Sequence, residues 1–328
     1  MSIKVRLIKE FKTIDGLDLF LPNSVAVFED NIIVTDGGNN RVCVINPQGE
    51  YSIGNVFGLG KYKFKEPVYS TLYKKDIFIC DWHNHRIMQY KNKKFINQIG
   101  IFGNKKDSKF KNLLKLIFTL KSNGSFIISH FSEGQIERKK GSKVQLIKNI
   151  FKGVFYYTFN FHLFIINFNN KNYINKPNGC IIIDNKLIFT QKNNKCISIY
   201  DLNNKIIIQE INNDLEEIGF GRLGQISYFE KKIYVCDETY NLLWIFTEKL
   251  KLLNKISITK YNIFSITLNK NYIVTCGESG YSIFNHNYEK IYEKIGGGEY
   301  HGVSLDNNSF YVCNRLNHKI EKYEIIEG

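Results

Sequence analysis

The sequence predicts an all-β fold, a single β-propeller of four-stranded antiparallel blades, and three observations carry that prediction. The composition is 43% hydrophobic and 14% aromatic with only 4 Pro in 328 residues, which suits many short strands better than disorder. One unit recurs along the chain: a strand beginning near Pro, a turn, a second strand ending in a polar residue, a short polar loop, a third strand begun by a basic residue, and a fourth strand. The polar residue falls at Asp36, Asp81, His130, Thr190, Asp237, Cys276 and Asn314, and five of the six intervals lie between 38 and 49 residues, the length of one four-stranded blade.

The first two copies match position by position. "PNSVAVFEDNIIVTDGGNNRVCVINPQGEYSIGNVFG" and "PVYSTLYKKDIFICDWHNHRIMQYKNKKFINQIGIFG" align Asp36 with Asp81, Asn39 with Asn84, and Arg41 with Arg86. Weaker copies follow at "SFIISHFSEGQIER", "KLIFTQKNNKCISIY", "KIYVCDETYNLLWIF", "YIVTCGESGYSIF" and "FYVCNRLNHKIEKY". The count is seven blades, with six or eight also compatible. The one long interval, 60 residues from His130 to Thr190, predicts an inserted hairpin or a degenerate extra blade at 151–176 within a propeller spanning 1–328. The last copy ends at its third strand, while "IKVRLIKEF" at the N-terminus alternates as a fourth strand would. The N-terminal strand is therefore expected to complete the last blade and remove an open sheet edge.

Asp-x-x-Asn-x-Arg between the second and third strands resembles the NHL-repeat family of β-propellers. The first two copies carry the motif almost completely, and the last keeps Asn314, Asn317 and Lys319. That family is usually six-bladed, so a count of seven departs from it. Within the repeat, Asp36, Arg41, Asp81 and Arg86 are structural: an acid and a base facing each other across neighbouring strands form charge-assisted hydrogen bonds.

Seven cysteines without a C-x-x-C pair argue against a disulfide framework and a zinc knuckle, and predict a reducing, cytoplasmic location. Cys80, Cys236 and Cys313 share one repeat position with Thr35, Ser129 and Thr275, as small packing residues would. The N-terminal segment has no uninterrupted apolar core and reads as a strand, not a secretion signal. No segment offers the roughly 20 apolar residues a membrane span needs, and a monomer is expected.

Charge is the main functional signal. Residues 1–176 hold 28 Lys+Arg against 13 Asp+Glu, whereas 177–328 hold 17 against 18. Blade-to-blade loops of a propeller share a face with the loops between second and third strands. A basic face on blades 2–3 of the seven-blade count is therefore predicted, with Lys61, Lys63, Lys65, Lys105, Lys106, Lys109 and Lys111 beside Trp82, His83 and His85. Tyr62, Phe64 and Phe110 are interleaved as stacking platforms. Such a face would engage a protein or an anionic polymer such as RNA or an acidic glycan, without a cofactor, and NHL members that bind single-stranded RNA are similarly positive on one face. His83-x-His85 alone is too sparse for zinc, which takes three or four ligands.

The alternative is catalysis at the mouth of the central channel, where first strands begin and the register places Asn23, Glu66, Asn178, Arg222, Glu299 and His301. Similarity in architecture to sugar lactonases implies a divalent metal there, with Glu299 and His301 in "GGGEYHGVSLD" as the candidate catalytic pair. No P-loop, G-x-G-x-x-G, G-x-S-x-G or H-E-x-x-H occurs, so the common sequence-readable enzyme classes gain no support.

Overall fold

The computed structural model of the chain describes residues 3–102, 128–132, 135–139, 172–213 and 219–328. Within the compact unit made of Met1–Gly103 and Asn172–Gly328, six four-stranded antiparallel sheets form a β-propeller. Five of them run in simple order over Pro22–Gly54, Pro67–Ile99, Pro177–Asn212, Leu223–Ile256 and Ile263–Ile295, here called blades 1 to 5. Blade 6 is built from Tyr300–Asp306, Ser309–Asn314 and Lys319–Glu327, and its outer strand is Ile3–Phe11, antiparallel to Lys319–Glu327. The closure expected from the alternating N-terminus is thus present, and it is reinforced by Lys319 Nζ on Glu10 at 2.5 Å.

The ring has six blades, one of the counts the repeat allowed, and not the favoured seven. The innermost strand of blade 2 packs directly on that of blade 3, and the contacts continue through blades 4, 5 and 6 back to blade 1. The copy "SFIISHFSEGQIER" is not one of these sheets: Ile128–Ser132 and Gln135–Lys139 form a two-stranded hairpin within a second compact unit, Asn104–Lys171. Of the segment 151–176, residues 151–171 lie outside the described residues. Where the chain re-enters the first unit, Tyr173–Ile174 pairs in parallel with Ile101–Phe102.

The period-2 geometry of a strand explains why the middle strands of each blade read as nearly continuous apolar runs. In Asp76–Asp81, Ile77 and Ile79 pack with Ile33, Val42 and Val44 of blade 1, while the alternate Phe78 and Cys80 pack with Cys180, Leu187 and Phe189 of blade 3. Both faces are covered, so both must be apolar. The outer strand Lys94–Ile99 has little beyond it, and its exposure alternates.

Strand pairing also corrects the repeat register in two blades. Pro22 pairs with Asp36, Pro67 with Asp81, Leu223 with Asp237 and Tyr300 with Asn314; the equivalents are Pro177 with Gln191 and Ile263 with Gly277. The end of the second strand is therefore Gln191, not Thr190, in blade 3 and Gly277, not Cys276, in blade 5. The position before it then reads Thr35, Cys80, Thr190, Cys236, Cys276 and Cys313, small in every blade. All seven cysteines are buried and none is in a disulfide, and burial pushes the thiols of Cys80, Cys236, Cys276 and Cys313 well up, as packing residues and not nucleophiles.

Candidate functional site at the channel mouth

The Asp-x-x-Asn-x-Arg motif builds the mouth before any ligand is considered. In blade 2, Asp81 Oδ1 accepts the backbone N–H of Lys65 at 2.8 Å, two residues before the first strand, while Oδ2 accepts from Asn84 Nδ2 and Arg86 Nε, each at 2.8 Å. Arg86 then reaches the carbonyls of Gly60 and Lys63 in the loop arriving from blade 1, at 3.0 and 2.7 Å. Blade 1 repeats this with Asp36, Asn39 and Arg41, whose guanidinium holds the carbonyls of Ile14 and Leu17. Both ion pairs are buried. The four residues assigned to the repeat thus tie a blade's own turn to the loop that delivers it.

The histidines of "DWHNHRI" divide between two roles. His85 sits in the left-handed region at φ 53°, and its Nδ1 accepts the backbone N–H of Lys176, immediately before blade 3, at 3.2 Å. His318 of blade 6 does the same for Leu21 before blade 1 at 3.0 Å, and Asn40 of blade 1 does it for Glu66 before blade 2 at 2.9 Å. His85 is therefore a latch to the next blade, and burial, with Lys176 second, pushes its pKa down to about 4. His83 instead meets Glu66 at 3.1 Å, and Glu66 also receives Arg315 from blade 6 at 3.3 Å. The blade 1 residue equivalent to Arg315, the one after the end of the second strand, is Gly37. A Cβ there would lie 2.1 Å from Asn23 Nδ2.

Two of the candidate mouth residues are inter-blade ties. Asn23 donates to the carbonyl of Pro67 and Asn178 to that of Leu223, each at 2.9 Å. Glu299 and His301 are brought together: His301 Nε2 lies 2.5 Å from Glu299 Oε1. That contact holds the Glu299 carboxyl below its usual range against partial burial, with Arg315 adding to the effect. Glu299 opens onto a pocket of about 450 Å³ on blades 4 to 6, lined by Arg222, Asn262, Phe264, Glu278 and Leu316 among others. Phe264 packs on the His301 ring at 4.8 Å between centroids. Among the described residues no group of three or more His, Cys, Asp or Glu side chains is placed to hold a metal ion.

Of the predicted basic face, Lys61 and Lys63 are exposed and Lys65 is partly so. Tyr62 is 48% exposed, but Phe64 is fully buried in the blade 1–2 core and offers no stacking surface. Lys105, Lys106, Lys109, Lys111 and Phe110 lie outside the described residues. Asn104–Lys171 carries 13 Lys+Arg against 3 Asp+Glu, which leaves 32 against 28 for the unit holding the six blades. Most of the excess charge read from the sequence therefore belongs to the inserted unit. No helix among the described residues is long and apolar enough to cross a membrane.

No protein-family model matches the chain, and neither does any curated protein sequence. Among solved structures, virginiamycin B lyase from Staphylococcus aureus is similar, at 14% identity and a TM-score of 0.55, over 98% of this chain and 99% of that one. A streptogramin B lyase structure is similar at 14% identity and a TM-score of 0.55, over 99% of this chain and 98% of that one. At this identity the likeness is one of β-propeller fold.

Proposed function

We propose that the propeller takes a small polar ligand into the pocket on blades 4 to 6. The observation that carries this reading is Glu299, held from behind by His301 at 2.5 Å, in the wall of a cavity that Arg222 and Glu278 also line. Pockets for small molecules combine an apolar wall with a few convergent polar groups, here Phe264 and Leu316 against those charges. Both signs of charge are present, which suits a ligand with its own acceptor and donor ends. A thermal-shift screen of small hydroxy acids, lactones and sugars tests it: bound ligand raises the melting temperature by mass action, by about 2.7 kcal/mol of stability at a hundredfold excess over Kd. The stabilisation should vanish in Ser279→Phe, which puts a ring into the pocket that Ser279 helps to line. Equal shifts in both proteins, or none, would count against the pocket.

A second reading is favoured by the same pair. Glu299 in contact with His301 can hold and orient the imidazole for proton transfer, which positioned side chains accelerate by roughly 10²–10⁴-fold. The similar structures named for lyase activity lend that reading only their fold. Loss of turnover on a lactone or ester panel in both Glu299→Gln and His301→Ala would favour it over binding alone. The wider engagement of a protein or polyanion rests on Lys61, Lys63 and Lys65 together with the charge of Asn104–Lys171.

A further inference from the structure

On the opposite side of the mouth, blades 2 and 3 present a different chemistry. Trp82 is the residue after Asp81, and its indole Nε1 is buried with no hydrogen-bond partner among the described residues. The Lys176 ammonium lies 4.1 Å from the Trp82 ring centroid and that of Lys192 lies 5.7 Å away. The acids nearby are already engaged: Glu66 by Arg315 and His83, and Glu238 by Lys192 at 2.7 Å. Lys176 has no carboxylate within ion-pairing distance among the described residues, so its charge is in surplus. The same positive field reaches the adjacent histidines, since Lys176 and Lys65 both lower the pKa of His83 and of His85, after burial.

A buried N–H donor without an acceptor is costly, and native structures leave few of them. Beside a surplus ammonium, the missing partner is an acceptor with negative charge. We infer that Trp82 Nε1 and Lys176 form a second site at the mouth, which binds an oxyanion, a carboxylate or a phosphate group. Lys192 stands at its edge but is held by Glu238. The indole N–H supplies a directed bond and the ammonium supplies charge, and charge-assisted bonds of this kind are the strong ones.

The chain has 2 Trp, and the other, Trp244, is buried with its indole N–H on Asp237 at 3.2 Å. Indole-labelled full-length protein should therefore give two N–H resonances, assigned with Trp82→Phe. Titrating inorganic phosphate at constant ionic strength should shift the Trp82 resonance saturably and leave that of Trp244 in place. Acetate in a second arm tells whether a carboxylate suffices. Lys176→Gln should weaken the phosphate response at least tenfold while the Trp82 resonance remains folded-like. Ser279→Phe should leave the response intact, which separates this site from the pocket on blades 4 to 6. A Trp82 resonance that does not move, that follows sodium chloride equally, or that responds unchanged in Lys176→Gln would overturn the inference.

Discussion

In blade 2 the buried carboxylate of Asp81 meets the Arg86 guanidinium at 2.8 Å; in blade 4 the equivalent Asp237 faces Leu242 at the arginine position and accepts the Trp244 indole N–H at 3.2 Å. Both acids take a backbone N–H from the segment entering the first strand, Lys65 in one case and Gly221 in the other, at 2.8 and 2.7 Å. Asp237 adds the N–H groups of Thr239 and Tyr240 from its own turn. Where the acid is present, in blades 1, 2 and 4, it always accepts the arriving backbone N–H, and the cation is one of several ways to finish its shell. A carboxylate fed by several N–H donors is stabilised without a counter-charge, whereas one with a single backbone donor depends on its arginine.

The largest expected effect breaks that dependence. Arg86→Met should leave the Asp81 carboxylate buried beside Asn84 and one backbone N–H, and strip the loop carbonyls of Gly60 and Lys63 of their donor. Removing one partner of a buried pair costs about 3–5 kcal/mol. Burial already pushes the Asp81 carboxyl up against the opposing pull of Arg86, so the variant should also take up a proton at Asp81 more readily. Trp244→Phe in blade 4 removes one donor of four and should cost about 1.5–3 kcal/mol. Chemical denaturation of both variants checks the ranking; equal losses would mean that the two acids are held alike.

A middle-sized effect concerns the step after the first residue of the first strand, Val68 in blade 2 and Gly224 in blade 4. A Cβ on Gly224 would lie 2.8 Å from the carbonyl oxygen of Phe264 on blade 5, and Thr190 Oγ1 from blade 3 already donates to the Gly224 carbonyl at 2.8 Å. Blade 4 is clamped from both sides where blade 2 has room for a side chain. Gly224→Ala should destabilise by roughly 1–3 kcal/mol, as overpacking does. Val68→Ala, which removes partly exposed methyls, should cost less than Gly224→Ala in the same denaturation experiment, and the reverse order would remove this difference between the blades.

The same contrast shows what could be read from the sequence. Where the acid, amide and arginine stand together, in blades 1 and 2, the motif marked the same strand end that the pairing shows. In blades 3 and 5 the register slipped by one residue, because neither Gln191 nor Gly277 is the Asp that marks the end of the second strand in blades 1, 2 and 4. Counting His130 as a blade failed for a related reason: a hairpin carries the same alternation as half a blade, and only packing between first strands tells them apart. Closure by Ile3–Phe11 was legible because an unpaired alternating strand and a blade lacking one occur at opposite ends of the chain. The latches were not, since their donors are backbone N–H groups of the next blade. Their one signal is a residue able to adopt the left-handed region just before the basic residue: Asn40, His85 and His318, at φ 53°, 53° and 54°. The Glu299–His301 pair was visible as two neighbours in sequence, but the cavity it borders draws on residues from 222 to 316.

The smallest effect at neutral pH is the most selective. Position 85 carries His in blade 2, while the equivalent positions carry Asn40 in blade 1 and Asn241 in blade 4, all in the left-handed region. An asparagine can therefore hold this backbone, and Asn40 makes the same bond to the next blade that His85 makes. His85→Asn should accordingly leave stability near pH 7.5 almost unchanged. Acid should separate the two proteins. His85 titrates at about 4 in the folded chain and near 6.5 when unfolded, because burial and the Lys176 charge disfavour the imidazolium and its Nδ1 is occupied as an acceptor. Between those values the unfolded chain binds a proton that the folded chain refuses, so the stability from His85 is present in full above about 6.5 and drains away as pH falls towards 4. Melting temperatures from pH 7.5 to 4 should fall more steeply for the wild type than for His85→Asn, with the two curves parallel again below 4. Parallel curves throughout would show that His85 is not held neutral by its latch.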